Sequence, residues 1–169
     1  PMASLASLLG WACAAAGAAA GEGATARVVA PRVESLTYVS AVLGRSRRLS
    51  AVLPEGYARG RRDWPVLYLL HGRGRHDRSL IDDPAACEAL RQSRAVVILP
   101  SGDDGWYIDS PVRPEDRDGA ALAEALAVAE DYYGLSRDPA RRGLSGWSMG
   151  GYGCVTAALA RPGQFGLVA

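Results

Sequence analysis

Hydrophobic and polar positions alternate along two early segments of the chain, residues 33–39 and residues 49–53. Successive side chains of a strand point to opposite faces, so this alternation predicts two strands, each with one buried face. Gly44 and Arg45 lie between the segments and favour a turn. The pattern therefore predicts a hairpin. We expect its arginines and those of the next loop to be solvated, with a basic patch as the alternative: Arg45, Arg47, Arg48, Arg59, Arg61 and Arg62.

Two later segments are apolar without interruption, residues 66–70 and residues 95–99. Continuous apolar runs that end in turn residues are typical of strands covered on both faces of a parallel sheet. Between them, Asp83 is a predicted helix cap with Pro84 at the first helical position. This part of the chain is predicted to form a strand, a helix and a second strand.

The second half of the chain continues the alternation of helices and strands. Residues 117–133 carry apolar side chains at helical spacing, at Leu122, Ala125, Leu126 and Ala129. A short strand is expected at residues 143–147, after a turn at Asp138 and Pro139, followed by a helix of small residues at 150–160. The order of elements predicts an α/β domain with a mostly parallel sheet.

The first 21 residues carry no charge and end in Ala and Gly. Small residues at 18–20 and 24–26 match the sites that a signal peptidase accepts. We therefore expect residues 1–20 to be a signal peptide, residues 21–32 a linker, and the mature protein to be secreted or periplasmic. A membrane anchor is the alternative, but a segment so rich in Ala and Gly is weakly hydrophobic for a span.

Net charge bears on the kinds of binding partner to expect, and the cysteine content bears on disulfide bonding. Nineteen basic and eighteen acidic residues leave a net charge of +1, which gives no electrostatic reason to expect nucleic acid or an acidic membrane as a partner. After removal of the first segment, Cys87 and Cys154 remain. They could form one bridge in an oxidising compartment or stay as two buried free thiols, and the sequence leaves both open.

The segment from Gly146 to Gly150 matches the G-x-S-x-G pattern, between a predicted strand and a predicted helix. A nucleophile must protrude from a tight turn, and glycines two residues to either side of Ser148 let the strand and helix approach closely. The following helix N-terminus would favour negative charge on a substrate carbonyl. Ser148 is the predicted nucleophile, and a structural serine is the alternative.

A second segment, residues 71–74, follows the predicted strand at 66–70. Acyl transfer needs two N–H donors to the oxyanion, one after the nucleophile and one from such a loop. The main-chain N–H groups of Met149 and Arg73 are our candidates. His71 could be a catalytic base. Its place at the strand end instead favours a residue that stabilises the loop by hydrogen-bonding to the backbone.

Four ordered motifs resemble the putative esterase family of α/β-hydrolases, which includes esterase D, feruloyl and acetylxylan esterases and the antigen 85 mycolyltransferases. They lie at residues 53–57, 65–72, 105–111 and 143–153. The resemblance covers roughly residues 33–169. It implies an α/β-hydrolase fold, Ser148 as nucleophile, and Arg73 and Met149 as oxyanion donors.

The resemblance also implies roles for the segment at 105–111. Trp106 and Tyr107 are similar to residues that line the acyl pocket, and Asp109 to a carboxylate that orders the loop. With His71 and Gly72, these three form the predicted substrate-binding set. The alternative for Trp106 and Tyr107 is a buried hydrophobic plug.

One departure from the family pattern is evident. In α/β-hydrolases the acid and then the histidine follow the serine along the chain, yet no Asp, Glu or His follows Ser148 here. We expect the sequence to be the N-terminal part of a longer esterase, with the fold truncated after the nucleophile helix and the fragment inactive alone.

These features predict a serine carboxylic ester hydrolase that works through an acyl-enzyme and needs no metal and no organic cofactor. The acidic pairs Asp82–Asp83 and Asp103–Asp104 are interpreted as caps and turns. The expected substrate is an extracellular, carbohydrate-linked or small-molecule acyl ester, with no nucleic acid and no stable membrane anchor involved. A serine peptidase of the same fold and a non-catalytic module that binds an acylated ligand are the alternatives.

Overall fold

The computed structural model describes residues 30–61 and 63–169, in which six strands form one sheet. The strands are Arg32–Ser40 (β1), Arg45–Leu53 (β2), Val66–Leu70 (β3), Val96–Pro100 (β4), Arg142–Gly146 (β5) and Leu167–Val168 (β6). The helices are Pro84–Arg91 (α1), Asp118–Tyr133 (α2) and Met149–Ala160 (α3), and a 3-10 turn spans Pro139–Arg141. The predicted α/β architecture is confirmed.

The strands lie in the order β1-β2-β4-β3-β5-β6. The predicted hairpin of β1 and β2 is antiparallel, and β2 continues antiparallel onto β4. From β4 to β6 the strands are parallel. Because parallel strands end at the same edge of a sheet, the segments that follow β3, β4 and β5 meet there, as ligand-binding segments of open α/β sheets do.

Both faces of the sheet are covered. On one face, side chains such as Tyr68, Leu70 and Ile98 pack with α2 and α3. On the other, Leu67 and Val97 pack with α1 in a smaller cluster. The runs at β3 and β4 are continuously apolar because alternate residues enter the two layers. The predicted apolar positions of α2 are all buried.

Helix boundaries agree closely with the sequence predictions. The Asp83 carboxylate accepts the N–H of Ala86 at 2.9 Å, with Pro84 at the first turn of α1. The strand before Ser148 ends at Gly146 and not at residue 147, and the next helix begins at Met149. The difference is the tight turn itself, which removes Trp147 from the strand.

The outer face of α3 carries three exposed apolar side chains, Tyr152, Val155 and Leu159, which we call the α3 stripe. Their spacing of three and four residues places them on one side of the helix. The opposite side of α3, with Cys154 and Ala157, is buried against the sheet. This helix is therefore apolar on both sides.

Cys87 and Cys154 are free thiols on opposite faces of the sheet. Cys154 lies in the larger apolar cluster, whereas Cys87 packs against the smaller one and is only partly buried. Burial raises the pKa of Cys154 to about 12. The sequence left open a disulfide bridge between Cys87 and Cys154 or two free thiols, and in the structure the thiols are free.

The predicted signal peptide at 1–20 and residues 21–29 of the linker lie outside the described residues. No helix in the part that is described combines the length and hydrophobicity that crossing a bilayer requires. The described residues also contain no group of three or more His, Cys, Asp or Glu side chains arranged to hold a metal ion. Independence from metals and cofactors stays a prediction.

Candidate active site

Ser148 occupies the turn between β5 and α3. Its backbone has φ 55° and ψ −121°, a conformation that side-chain-bearing residues rarely adopt. The residue is exposed, and its hydroxyl does not cap the helix that follows. Strain of this kind persists where the surroundings enforce it, which is common at functional sites. The serine is thus held outward, with its hydroxyl available.

Two glycines make this turn possible. A Cβ at Gly150 would lie 2.2 Å from the carbonyl oxygen of Leu70, and a Cβ at Gly146 would lie 2.6 Å from the carbonyl carbon of Gly150. Neither distance is sterically possible for a side chain. The start of α3 therefore lies directly against the end of β3, as the G-x-S-x-G pattern predicts.

The segment after β3, residues 71–74, forms a tight turn that we call the oxyanion loop. The Arg75 N–H donates to the carbonyl oxygen of Gly72 at 3.2 Å, and Gly74 adopts a left-handed φ of 69°. A Cβ at Gly72 would lie 2.9 Å from Nε1 of Trp147. The loop therefore packs against Trp147, the residue that precedes Ser148.

The two predicted oxyanion donors lie on either side of this contact. Met149 is the first residue of α3, where a main-chain N–H has no partner within the helix. Among the described residues, neither its N–H nor that of Arg73 has a hydrogen-bond acceptor. The Met149 side chain is buried, whereas the Arg73 side chain is exposed. Only the main-chain groups of these residues are candidates for the site.

His71, the first residue of the oxyanion loop, is buried. Its Nε2 lies 2.8 Å from the main-chain N–H of Gly102, which can only donate, so Nε2 accepts. Its Nδ1 lies 2.9 Å from the carbonyl oxygen of Gly72 and therefore carries the proton. Burial lowers the pKa of His71, which favours this neutral form. Both nitrogens are engaged, which supports a bracing role and leaves no acceptor for the Ser148 proton.

His76 is the other histidine of the sequence. It is exposed, and its Nδ1 accepts the main-chain N–H of Arg78 at 3.2 Å. No hydrogen bond joins either histidine to Ser148 in the described residues.

Trp106 and Tyr107 are consecutive residues with left-handed φ of 58° and 57°. Tyr107 is 3% exposed, and its hydroxyl donates to the His71 carbonyl oxygen at 3.2 Å. Its ring fills the space beside Gly102 and Gly153, where added Cβ atoms would lie 2.1 and 2.6 Å away. Tyr107 is thus packed as a buried plug, and it also borders the cavity beside Asp109.

Trp106 has the opposite environment. It is 43% exposed and packs edge-to-face on Tyr152, with ring centroids 5.7 Å apart. Tyr152 follows Ser148 by one helical turn, so an exposed aromatic pair lies close to the predicted nucleophile. Tyr152 is not among the predicted site residues, although its spacing of four residues from Ser148 could have indicated it.

Asp109 joins the loop after β4 to α2. Its Oδ1 accepts the Ala120 N–H at 2.9 Å, within the first turn of the helix. This contact fits a carboxylate that orders the loop. A cavity of about 270 Å³ opens beside it, with Tyr107, Thr156 and Arg161 among its lining residues. Contact of Asp109 with a substrate stays a prediction.

The arginines of the hairpin are not all solvated, contrary to expectation. Arg47 is buried and binds the carboxylate of Asp103, while Arg48 donates two hydrogen bonds to Asp77 at 2.8 and 2.9 Å. Burial acts to raise the pKa of Asp77, but the hydrogen bonds from Arg48 and Ser50 outweigh it, and the pKa lies below its usual value. Strand β2 thus anchors the loops after β3 and β4.

Comparison with known proteins shows which family the chain belongs to. The family model described as "Putative esterase" matches residues 40–169. The chain belongs to the putative esterase family. The family resemblance that the four sequence motifs indicated is therefore confirmed.

Among curated relatives of this esterase-family chain is Esterase MT1326 of Mycobacterium tuberculosis (strain CDC 1551 / Oshkosh). The two are 27% identical over 140 residues, which is 80% of this chain and 31% of the relative. Esterase Rv1288 of M. tuberculosis (strain ATCC 25618 / H37Rv) has the same identity and coverage. The chain thus spans about a third of the length of these relatives.

Solved structures of serine hydrolases share the fold. FphF, a fluorophosphonate-binding serine hydrolase of Staphylococcus aureus, superimposes with a TM-score of 0.70 at 22% identity, over 81% of this chain and 55% of its own. The ferulic acid esterase AmCE1/Fae1A of Anaeromyces mucronatus gives a TM-score of 0.66 at 21% identity, over 88% of this chain and 60% of its own. These likenesses establish the α/β-hydrolase fold.

Proposed function

We propose that this protein is a serine carboxylic ester hydrolase with Ser148 as its nucleophile. The observation that carries the proposal is the strained, exposed Ser148 between β5 and α3. Within the described residues, the main-chain N–H groups of Met149, which follows Ser148, and of Arg73, in the oxyanion loop, have no acceptor. Family membership supports an esterase over a binding module.

In the proposed reaction, the Ser148 hydroxyl oxygen attacks the ester carbonyl carbon while a general base removes the hydroxyl proton. A C–O bond forms and the carbonyl electron pair moves to the oxygen, which accepts hydrogen bonds from Met149 and Arg73. Collapse of this intermediate expels the alcohol with the proton from the base and leaves an acyl group on Ser148. Water then attacks the acyl-enzyme in the same way and releases the acid.

The general base is proposed to lie outside the 169 residues of this sequence. Both nitrogens of His71 are bonded to the main chain, and His76 is bonded to the loop after β3. The chain spans 31% of its curated relatives and 55% of FphF, which leaves room for the acid and base that α/β-hydrolases carry after the nucleophile. We therefore expect the 169 residues alone to have little turnover.

The proposed substrate is an acyl ester linked to a carbohydrate. A ferulic acid esterase is among the structural neighbours, and the exposed edge-to-face pair of Trp106 and Tyr152 gives an apolar aromatic surface near the proposed nucleophile. S-formylglutathione hydrolases are also among the neighbours. Turnover of S-formylglutathione in preference to feruloyl and acetyl sugar esters would move the proposal to that thioester, and turnover of peptides to a peptidase.

A fluorophosphonate probe tests the nucleophile directly, because it phosphonylates an activated serine. We expect stoichiometric labelling of the intact protein, with the modified peptide containing Ser148. Ser148→Ala should abolish labelling, whereas Ser46→Ala, at an exposed serine on β2, should leave it unchanged. Labelling that persists in Ser148→Ala would overturn the assignment.

Export is proposed from the uncharged first 21 residues and the small-residue sites at 18–20 and 24–26. N-terminal sequencing of protein secreted by a bacterial host should give a start after Ala20 or Ala26. Uncleaved cytoplasmic protein would contradict export and favour the cytosolic thioester, while the assignment of Ser148 would stand.

A further inference from the structure

Asp104 connects the loop after β4 to the oxyanion loop. Its Oδ1 accepts the main-chain N–H of Gly74 at 2.8 Å. Its Oδ2 lies 4.0 Å from Nε of Arg73, the residue whose main-chain N–H is the proposed donor. The sequence pattern suggested only a turn at this acidic pair. The carboxylate instead fixes the residue next to the donor.

The oxyanion loop needs such a contact because its geometry is unusual. Gly74 has a left-handed φ of 69°, and nothing lies within 4 Å of the position where its Cβ would be. Glycine at an open position is free to adopt many conformations. The bonds from Gly74 to Asp104 and from Arg75 to Gly72 remove that freedom from the segment that contains the Arg73 N–H.

Asp103, the residue before Asp104, is itself strained and is held by ion pairs. Asp103 has a φ of 45°, a left-handed conformation for a residue with a side chain. Its carboxylate binds the buried Arg47 and also Arg45, at 2.7 Å. These two ion pairs hold the strained residue that directly precedes Asp104. Backbone strain that is enforced in this way is a reason to look for function.

We propose that Asp104 is a positioning residue of the ester hydrolase, which orients the Arg73 N–H through its hydrogen bond to Gly74. This inference rests on the proposed function of Ser148. The useful property of Asp104 is its acceptor oxygen and not its charge, because a negative charge beside the developing oxyanion opposes catalysis. An asparagine would keep an acceptor oxygen without that charge.

The test compares Asp104→Ala with Asp104→Asn in the intact protein. Removal of a whole oxyanion donor costs about 100-fold to 1000-fold in kcat. A displaced donor should cost less, and we expect Asp104→Ala to lower kcat about tenfold with KM nearly unchanged. Asp104→Asn should retain the parental kcat or exceed it. The rate of phosphonylation of Ser148 should follow the same order.

The matched control is Asp131→Ala, which removes another exposed carboxylate paired with an arginine. It should change neither rate. Equal kcat in Asp104→Ala and the parent, or an equal loss in Asp104→Asn and Asp104→Ala, would overturn the positioning role. Because the Asp104 side chain is 56% exposed, its loss should leave the protein folded, and an unchanged thermal transition checks this. An unlabelled parent would instead contradict the proposed function.

Discussion

The main-chain N–H of Gly102 donates to Nε2 of His71 at 2.8 Å, and so joins the loop after β4 to the loop after β3. The acceptor nitrogen is available only while the ring is neutral. A proton on Nε2 would replace this attraction with two opposed N–H groups in a buried site. The stability of this edge of the sheet is therefore linked to pH.

We predict that the free energy of unfolding falls as the pH drops below about 6.5. The unfolded chain binds a proton at His71 near that pH, whereas burial lowers the pKa in the folded state. The unfolded state then binds more protons, so acid favours it, and the effect ends below the folded pKa. Urea denaturation of the intact protein from neutral pH to about pH 5 measures this slope.

The control for this prediction is His71→Gln, which has no group that titrates in this range. Its stability should depend less on pH than that of the parent. The same slope in both proteins would show that His71 is not its source.

A second prediction concerns the contact between α3 and β3. Gly150→Ala places a Cβ 2.2 Å from the Leu70 carbonyl oxygen, which the backbone can relieve only by moving apart. We expect a loss of stability of about 3 kcal/mol or more, together with loss of fluorophosphonate labelling at Ser148. Denaturant unfolding and labelling of the intact protein measure these effects.

The adjacent glycine gives a matched control. A Cβ at Gly151 would come no closer than 3.4 Å to any neighbour, and alanine favours a helix by about 1 kcal/mol over glycine. Gly151→Ala should therefore keep or raise stability. If both variants behave alike, the close approach of α3 to β3 is not the reason for Gly150.

A third prediction concerns Asp77, which is buried and accepts hydrogen bonds from Arg48 and Ser50. Asp77→Ala leaves these donors without their partner and should reduce the free energy of unfolding by about 2 to 4 kcal/mol. Asp82→Ala, which breaks an exposed pair with Arg78, should cost less than about 1 kcal/mol. Similar losses for the two variants would contradict an anchoring role for Asp77.

The α3 stripe leads to the fourth prediction. Exposed apolar side chains in a row favour association, and Val155 and Leu159 are 54% and 74% exposed. We expect the 169-residue chain to self-associate in sedimentation experiments, and Val155→Glu with Leu159→Glu to shift it towards the monomer. Ala157→Glu, on the buried side of α3, should instead unfold it. A monomeric parent would show that the stripe is not adhesive.

Local features of the fold could be predicted from the sequence because their cause is local. The apolar run at β3 and the spacing of buried residues in α2 follow from burial alone. The turn at Ser148 could be predicted because only glycine permits the approach of its flanking residues. These features are properties of short segments, and no knowledge of the sheet order is needed to identify them.

Contacts between loops could not be predicted in the same way. Arg47 binds Asp103 and Arg48 binds Asp77 because β2 lies beside β4 in the sheet. That order is not encoded in any single segment. The same is true of the hydrogen bond from Gly74 to Asp104, since both positions are ordinary turn residues when considered alone.

Strand order also determines when each strand can pair with its neighbours during synthesis. Val66 of β3 pairs with Val96 of β4 on one side and with Arg142 of β5, 76 residues further along the chain, on the other. At a ribosomal rate of about 5 to 20 residues per second, β3 waits roughly 4 to 15 seconds for its second neighbour. During that interval its unpaired edge is open to strands of other nascent chains. Docking of β5 closes that edge and brings Ser148 to the oxyanion loop, so the nascent chain loses this open β-edge at the moment when the proposed nucleophile is positioned.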